Sequence, residues 1–250
     1  MLKILSIGNS FSEDAQGHLY TVAKASGVEL TCANLNIGGC PLHDHWRLAQ
    51  SGEAAYTYQE NSAVVGMRAL VDTLRAETWD VVTLQQVSGL SGLYETYQPY
   101  LDDLAALVRR ECPSAVLWWH KTWAYETDSQ HPDFARYGSD QAAMHAAIGA
   151  AAAQACAAIG AKALPSGDVI DYLRRNEPAF NYADGGLSLC RDGFHMSLNY
   201  GRYALACTWL TTLTGAKLPD ADAVAAQNGW DVDLIAAVHR GVYAVCGGEN

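Results

Sequence analysis

The first residues of the chain read as a buried strand that ends in a polar turn. Lys3 to Ile7 is short and apolar, and Gly8 follows directly, which is typical of a parallel strand inside an α/β sheet. Gly8 permits a turn that a residue with a Cβ would resist. Asn9 and Ser10 come next, at the carboxyl end of the strand, where open α/β sheets bind their ligands. Ser10 is therefore a candidate nucleophile and Asn9 a candidate substrate-binding residue.

A serine hydroxyl becomes a good nucleophile only beside a general base that a third group orients. The chain offers such a pair near its C-terminal end, Asp192 and His195, in the run CRDGFHMS. These two side chains, three residues apart, can converge on one side of a tight turn, which Gly193 helps the backbone to make. His195 would take the Ser10 proton through Nε2 while Asp192 holds Nδ1–H, so the sequence predicts a Ser-Asp-His triad.

Several motifs in this order resemble those of the SGNH (GDSL-type) hydrolase family. They are GNS after the first strand, the pair Gly38-Gly39 after the second strand, and DGFH at 192–195. More narrowly, GNSFSEDA with a late DGFH and the following Gly201-Arg202-Tyr203 is similar to a poorly characterised branch of that family. The resemblance covers most of the chain and implies an esterase with an oxyanion hole.

In that family the oxyanion hole combines the N–H of the nucleophile, the N–H of a glycine after strand two and an asparagine side chain after strand three. By this resemblance, the first donor in this chain is Ser10, and the second is Gly39 or, less favoured, Gly38. The third block departs from the family, because WDVVTL is followed by Gln85-Gln86. A glutamine amide carries the same NH₂ donor, so we expect Gln86, or else Gln85, to complete the hole. If neither points inward, one lost donor costs about 2.7–4 kcal/mol, and the enzyme should be slow or the family assignment wrong.

Strand and helix segments alternate along the whole chain. The predicted strands cover 3–7, 29–37, 79–84, 115–119 and 161–164, and the predicted helices 13–26, 65–77, 97–111, 140–159, 169–175, 200–215 and 232–245. Leu42 to Ser62 is expected to be a long loop over the active-site face. The alternation predicts a single domain over 1–250, an SGNH or flavodoxin-like three-layer α/β/α sandwich with a mainly parallel five-stranded sheet.

Composition and charge exclude some classes of binding partner. The 250 residues carry a formal net charge of −11 and no block of lysine and arginine, which argues against nucleic acid or an anionic membrane. The alanine-rich stretch 142–158 contains His145 and Gln154, so we expect no segment that spans a bilayer.

Seven cysteines, an odd number without a CxxC pair, fit reduced thiols. With no signal-peptide pattern at Met1, we expect a cytoplasmic enzyme that needs no cofactor.

Aromatic side chains follow two of the predicted strands on the side where ligands bind. Trp123 and Tyr125 come after the fourth strand, and Trp46 lies in the long loop after the second. Aromatic faces at this edge could stack on a sugar ring. These three residues are therefore candidate substrate-binding residues.

Less specific interpretations compete with these hypotheses. Gly8-Asn9-Ser10 could be only a turn whose serine caps the next helix, and Asp192 with His195 could be an ordinary loop salt bridge. A catalytically silent sugar-binding protein on the same fold would also fit, since the asparagine block of the family is missing.

A metal-dependent hydrolase is the second enzyme class to consider. His43-Asp44-His45 invites a metal, with His18 or His120 as further ligands. Alternating histidines lack the i, i+4 spacing of a zinc protease, and no cysteine pair joins them. The leading hypothesis is therefore a serine esterase without a catalytic metal. It would remove a small acyl group, most simply acetyl, from a carbohydrate or glycoside, and its oligomeric state is left open.

Overall fold

The computed structural model describes residues 1–247, and the last three positions of the predicted domain 1–250 lie outside the described residues. The strands are β1 (Leu2–Gly8), β2 (Leu30–Asn36), β3 (Tyr56–Glu60), β4 (Ala63–Arg68), β5 (Val81–Leu84), β6 (Val116–His120) and β7 (Lys162–Leu164). The α-helices are α1 (Ser10–Gln16), α2 (Leu19–Ala25), α3 (Leu42–Ser51), α4 (Leu70–Ala76), α5 (Tyr100–Glu111), α6 (Gln141–Ile159), α7 (Ser166–Asn176), α8 (Tyr200–Thr214), α9 (Ala221–Asn228) and α10 (Val232–Cys246).

A seven-stranded sheet lies in the middle of the molecule, in the order β4-β3-β2-β1-β5-β6-β7. The five strands from β2 to β7 in this order are parallel to one another, whereas β3 and β4 pair antiparallel at one edge. The predicted α/β/α class and the mainly parallel sheet are confirmed. The predicted number of five strands is wrong, because the β3–β4 hairpin adds two.

Two apolar cores, one on each face of the sheet, hold the layers together. Alternate residues of β1 point to opposite faces. Ile4 belongs to the core that α1, α2 and α8 cover, and Leu5 belongs to the core that α3, α4 and α5 cover. Burying each such side chain stabilises the fold by about 1.5–3 kcal/mol. This packing places the carboxyl end of β1, where Ser10 follows, between neighbouring parallel strands.

The segment 42–77 differs most from the prediction. The expected loop contains α3 and the hairpin, and the helix expected from 65 begins only at Leu70. Asn61 and Ser62 both have a positive φ, of 49° and 69°, as the two-residue turn of a hairpin requires. Val64 and Val65 are exposed on the edge strand β4, so their apolar character does not mark the buried face of a helix.

The helix predicted over 13–26 is two helices, α1 and α2, separated at Gly17-His18. Arg202 of α8 crosses close to this break, where a Cβ on Gly17 would lie 2.7 Å from Arg202 Cδ. Helix α1 also starts earlier than predicted, at Ser10. Ser10 is therefore the first residue of a helix and not part of a loop before it.

Helix α6, which contains His145 and Gln154, is long and apolar enough, by length and composition alone, to cross a membrane. Length and composition alone do not separate a membrane span from a core helix. In this fold α6 packs on β6, β7 and α5 and buries Met144, Ile148 and Ala155 among its residues. Part of its apolar surface therefore belongs to the core.

Candidate active site

The turn between β1 and α1 presents Ser10. Asn9 is the N-cap of α1, and its Oδ1 accepts a hydrogen bond from the Phe11 N–H at 3.0 Å. A Cβ on Gly8 would collide with the Ser12 side chain, so a glycine lets the helix begin this close to the strand. The first N–H groups of a helix have no intrahelical acceptor, and Ser10 contributes one of them.

Ser10, His195 and Asp192 form one continuous chain of hydrogen bonds. Ser10 Oγ lies 2.8 Å from His195 Nε2, and His195 Nδ1 lies 2.7 Å from Asp192 Oδ2. Asp192 Oδ1 accepts two further hydrogen bonds, from the backbone N–H groups of His195 at 2.8 Å and Phe194 at 3.2 Å. The fold thus brings together the three side chains that the sequence singled out.

The charge of Asp192 determines how the protons are arranged in this chain. Burial acts to raise the pKa of Asp192, but the hydrogen bonds from the His195 ring and from two backbone N–H groups outweigh it and lower the pKa below its ordinary value. An ionised Asp192 requires the hydrogen on His195 Nδ1. Nε2 is then free to accept the Ser10 hydroxyl proton, which is the arrangement that nucleophilic catalysis needs.

A cleft of about 350 Å³ opens at Ser10 and is called the active-site cleft below. Its lining residues are Asn9, Ser10, Phe11, Gly38, Gly39, Val87, Ser88, Gly89, His131, Asp133, Phe194 and His195. Gly39 has a φ of +66°, a conformation that favours glycine. Among residues 1–247, no backbone carbonyl accepts a hydrogen bond from Gly38 or Gly39 N–H. Both N–H groups are therefore available to an oxygen atom in the cleft.

The two glutamines predicted to complete the oxyanion hole are engaged elsewhere. Gln86 accepts the Leu42 N–H at 3.0 Å and donates its NH₂ to Thr96 Oγ1 at 3.2 Å. Gln85 donates its NH₂ to Asn9 Oδ1 at 2.8 Å. Both side chains are buried, and neither lines the active-site cleft. The structure therefore does not support either glutamine as an oxyanion donor.

Gln85 instead belongs to a chain of uncharged hydrogen bonds that holds the nucleophile turn. Its Oε1 lies 2.9 Å from His120 Nδ1, and His120 Nε2 lies 3.1 Å from Ser166 Oγ, which accepts the Trp209 indole N–H at 3.0 Å. Because Gln85 donates its NH₂ to Asn9, its Oε1 must accept, so His120 carries its hydrogen on Nδ1. Burial lowers the pKa of His120 to about 3, which keeps the ring neutral. We call Asn9, Gln85, His120, Ser166 and Trp209 the Asn9 chain.

A charged cluster holds the other side of the site. Asp14, in α1, is fully buried, and its Oδ2 accepts the N–H of Met196, the residue after His195, at 2.8 Å. Its Oδ1 accepts hydrogen bonds from Arg191 at 3.0 Å and Arg202 at 2.8 Å. Arg191 also donates to the Met196 carbonyl. We call Asp14, Arg191 and Arg202 the Asp14 cluster, and it binds both backbone groups of the residue next to His195.

Asp14 lies within the run GNSFSEDA and Arg202 within Gly201-Arg202-Tyr203, but neither position predicts a role from the sequence alone. Their place in the quoted motifs was the only available signal, because a charged residue four positions after Ser10 reads as an ordinary helix residue. His131 and Asp133 of the cleft wall carried no signal at all in the sequence.

The predicted aromatic residues after β6 lie behind the cleft and not in it. Trp123 and Tyr125 are fully buried. Trp123 stacks on Phe11 with 4.1 Å between ring centroids and donates its Nε1–H to the Phe194 carbonyl at 2.7 Å. The Tyr125 hydroxyl bonds the Ser88 hydroxyl at 2.8 Å. Both residues therefore support lining residues, and the structure does not place them against a substrate.

Two other predicted substrate-binding residues also differ from expectation. Trp46, on α3, packs against the core on its side of the sheet and does not line the cleft. Asn9 lines the cleft but is almost completely buried, and its amide NH₂ donates to the Cys40 carbonyl at 3.1 Å. Its side chain therefore shapes the turn rather than offering free polar atoms.

The residues of the metal hypothesis do not converge on one point. Within His43-Asp44-His45, His45 is fully buried and hydrogen-bonded to a tyrosine hydroxyl at 2.9 Å, whereas half of the His43 side chain is exposed. His18 bonds a backbone carbonyl, and His120 belongs to the Asn9 chain. Across the part of the chain that the structure describes, no three His, Cys, Asp or Glu side chains are grouped as a metal site would require.

Comparison with known proteins agrees with the fold and with the resemblance. Residues 3–225 match the model of DUF4886, a domain of unknown function. A DUF4886 family protein from Bacteroides uniformis is 32% identical over 97% of this chain and 93% of that protein, with a TM-score of 0.87. No curated protein matches the chain.

Two more distant structures share the architecture. A protein from Slackia heliotrinireducens described as a candidate SGNH hydrolase is 20% identical over 85% of this chain and 98% of its own, with a TM-score of 0.55. A lipase/acylhydrolase from Enterococcus faecalis is 13% identical over 87% of this chain and 98% of its own, with a TM-score of 0.54. The chain therefore belongs to the DUF4886 family, and its fold is similar to that of SGNH (GDSL-type) hydrolases.

Proposed function

We propose that this protein is a serine esterase that hydrolyses a small acyl ester through an acyl-enzyme. One observation carries the proposal. Ser10 Oγ lies 2.8 Å from His195 Nε2, and the same ring lies 2.7 Å from a carboxylate, Asp192. Nucleophile, base and orienting acid are thus within hydrogen-bond reach of one another, at the opening of a cleft.

The reaction follows from these contacts. Ser10 Oγ attacks the ester carbonyl carbon while His195 Nε2 takes the hydroxyl proton, and Asp192 stabilises the imidazolium that forms. His195 then gives its proton to the departing alcohol, and the acyl group stays on Ser10. In the second half, His195 takes a proton from water as the water attacks the acyl-enzyme. It returns the proton to Ser10 Oγ, and the carboxylic acid leaves.

Backbone N–H groups of Ser10 and Gly39 would stabilise the oxyanion, with Gly38 beside them. The engaged amides of Gln85 and Gln86 leave the site without the side-chain donor that the resembled family uses. A missing donor lowers kcat about 10²–10³-fold in serine hydrolases. We therefore expect a slow esterase.

The substrate proposed is an acetyl ester of a carbohydrate or glycoside, either a small molecule or an oligosaccharide. A cleft of about 350 Å³ is within the usual size of small-molecule sites. The burial of Trp123 and Tyr125 removes the argument from aromatic stacking. The proposal that the alcohol of the ester is a carbohydrate is supported by the family resemblance and by polar side chains of the cleft wall.

The test compares the wild type with Ser10→Ala and with Ser51→Ala, a control at an exposed serine. On 4-nitrophenyl acetate and acetylated sugars, Ser10→Ala should lower kcat on the order of 10⁴-fold or more, and the control should match the wild type. A fluorophosphonate probe should label the wild type and Ser51→Ala but not Ser10→Ala. Equal rates for wild type and Ser10→Ala would remove Ser10 from the mechanism. Absent labelling with retained glycan binding would favour the silent sugar-binding protein.

We also propose that the enzyme works in a reducing compartment such as the cytoplasm. All seven cysteines lie within residues 1–247 and are free thiols there. Burial raises the pKa of Cys32 and of Cys40 to about 12, so these thiols stay protonated and unreactive.

A further inference from the structure

Two polar side chains of the cleft wall, His131 and Asp133, take no part in the chemistry proposed above. They lie immediately before and within a 3-10 helix, Pro132–Tyr137. The Phe194 ring contacts the His195 ring, with 4.1 Å between centroids, and also the His131 ring, with 4.7 Å between centroids. His131 is therefore one aromatic ring away from the catalytic imidazole. A group bound there would belong to the same ester that Ser10 attacks.

The hydrogen bonds of His131 determine which ring nitrogen faces a ligand as a donor. Its Nδ1 accepts the backbone N–H of Asp133 at 3.2 Å. A ring nitrogen that accepts a hydrogen bond carries no hydrogen, so the ring hydrogen of His131 is on Nε2. Within residues 1–247 no group accepts that hydrogen in a hydrogen bond. Nε2–H is thus an unused donor in the wall of the cleft.

Asp133 supplies the matching acceptor. Arg136 Nε donates to its Oδ1 at 2.8 Å, which orients the carboxylate. Its Oδ2 lies against the backbone of Gly89, another lining residue, so closely that a Cβ on Gly89 would overlap it. The absence of a side chain at Gly89 therefore lets Oδ2 sit in the cleft wall. His131 Nδ1 lies 4.0 Å from the same oxygen.

We propose that His131 and Asp133 form a subsite that binds free hydroxyl groups on the alcohol part of the ester. Nε2–H of His131 donates to a hydroxyl oxygen, and Oδ2 of Asp133 accepts a hydroxyl hydrogen. A hydroxyl group satisfies both roles at once, whereas a hydrocarbon chain satisfies neither and would desolvate the carboxylate at a cost. The substrate class is then a partly acylated sugar or polyol that keeps free hydroxyl groups. This inference rests on the proposed esterase function.

The kinetic test uses two esters that differ in free hydroxyl groups, a mono-acetylated methyl glucoside and 4-nitrophenyl acetate. The measured quantity is the ratio of kcat/KM for the glucoside to kcat/KM for 4-nitrophenyl acetate. Asp133→Asn and His131→Phe should each lower this ratio about tenfold, as expected for the loss of one hydrogen bond to a charged or oriented group. Asp128→Asn, a surface control whose carboxylate accepts from the Tyr182 hydroxyl, should leave it unchanged.

A second measurement tests the subsite without the reaction. Binding of methyl glucoside, which has no ester, can be followed by ligand-observed NMR. The wild type and Asp128→Asn should bind it, and Asp133→Asn should bind it about tenfold more weakly. Equal binding and an unchanged kinetic ratio in both subsite variants would overturn the subsite and leave the esterase intact. Hydrolysis that does not depend on Ser10 would overturn the esterase, while the binding result would still decide the subsite.

Discussion

The two sides of the active site are held by opposite kinds of chemistry. The turn that carries Ser10 is tied to the sheet by the Asn9 chain, which is buried and consists of uncharged groups. The loop that carries His195 is tied to α1 by the Asp14 cluster, in which one buried carboxylate meets two partly exposed arginines. Both anchors end on α1, the Asn9 chain at its N-cap and the Asp14 cluster within its second half. This helix therefore sets the distance between Ser10 and His195.

The difference between uncharged and charged hydrogen bonds corresponds to the segments that each anchor connects. The Asn9 chain runs from the Ser10 turn along the carboxyl ends of β5 and β6 to helices α7 and α8. It is formed by buried uncharged groups, so no charge has to be buried. The Asp14 cluster joins segments about 180 positions apart in sequence, since Asp14 and Arg191 are 177 residues apart. Charged hydrogen bonds are stronger than neutral ones, and the ionic attraction opposes the entropy cost of ordering a loop. We expect the two anchors to respond differently to substitution and to pH.

The largest effect is expected from breaking the charged anchor. Asp14→Asn removes the charge that faces two arginines, and we expect the free energy of unfolding to fall by about 3 kcal/mol, at the low end for buried pairs because the arginines are partly exposed. Since the Met196 backbone loses its firm partner, the fluorophosphonate labelling rate of Ser10 should fall about 100-fold. Urea denaturation and labelling kinetics measure the two effects.

The control for this variant is Asp222→Asn, at an exposed position of α9. It should match the wild type in stability and in labelling. A folded Asp14→Asn protein that is labelled at the wild-type rate would show that the cluster stabilises the fold without positioning His195.

A smaller effect is expected from breaking the uncharged anchor. Asn9→Ala removes the N-cap of α1 and leaves the buried Gln85 amide without its acceptor, so we expect a loss of about 2 kcal/mol. Asn176→Ala, at an exposed asparagine of α7, is the matched control and should change stability by less than about 0.5 kcal/mol. Urea denaturation followed by circular dichroism measures both. A loss as large as that of Asp14→Asn would contradict the contrast between the two anchors.

The smallest expected effect is on the pH dependence of the free energy of unfolding. It tests whether the Asn9 chain depends on uncharged groups. His120 has an ordinary pKa near 6.5 when unfolded, whereas burial lowers its pKa to about 3 in the fold. Below pH 6.5 the unfolded chain therefore binds a proton that the folded chain refuses. The stability contributed by neutral His120 is complete above pH 6.5 and is lost progressively as the pH falls towards 3. Well below pH 6.5 the loss approaches about 1.4 kcal/mol per pH unit.

Replacing this histidine isolates its contribution. Between pH 6.5 and 5.5, His120→Gln should lose about 1 kcal/mol less stability than the wild type, as measured by urea denaturation at each pH. His45 and His239, whose pKa values burial lowers to about 4, contribute equally to both proteins. An identical pH dependence in wild type and His120→Gln would show that the Asn9 chain does not depend on a neutral imidazole.

The features of the site that depend on local sequence, namely strand β1 and the Asp192–His195 pair, were predictable. The apolar run before Gly8 marked β1, and the spacing of Asp192 and His195 on one loop marked two side chains able to meet. Their meeting with Ser10 needed no knowledge of side-chain packing, because parallel strands bring their carboxyl ends to one edge of a sheet. The βαβ alternation likewise predicted the α/β/α class.

The features that depend on which hydrogen-bond or packing partner a side chain finds were not predictable from the sequence. Gln85 and Gln86 could each have pointed to the cleft, and Trp123 could have lain on its surface. The hairpin over β3 and β4 was missed because an edge strand exposes apolar side chains that imitate one face of a helix.

The sequence by itself determined which residues can do chemistry and at which end of a sheet they lie. Only the tertiary structure decided that the glutamine amide holds a turn, that Asp14 holds the His195 loop, and that His131 and Asp133 face the cleft. The physical reason is that a buried polar group must find a hydrogen-bond partner, and many partners are compatible with the same sequence pattern. Which partner is used depends on the packing of segments far apart in the chain.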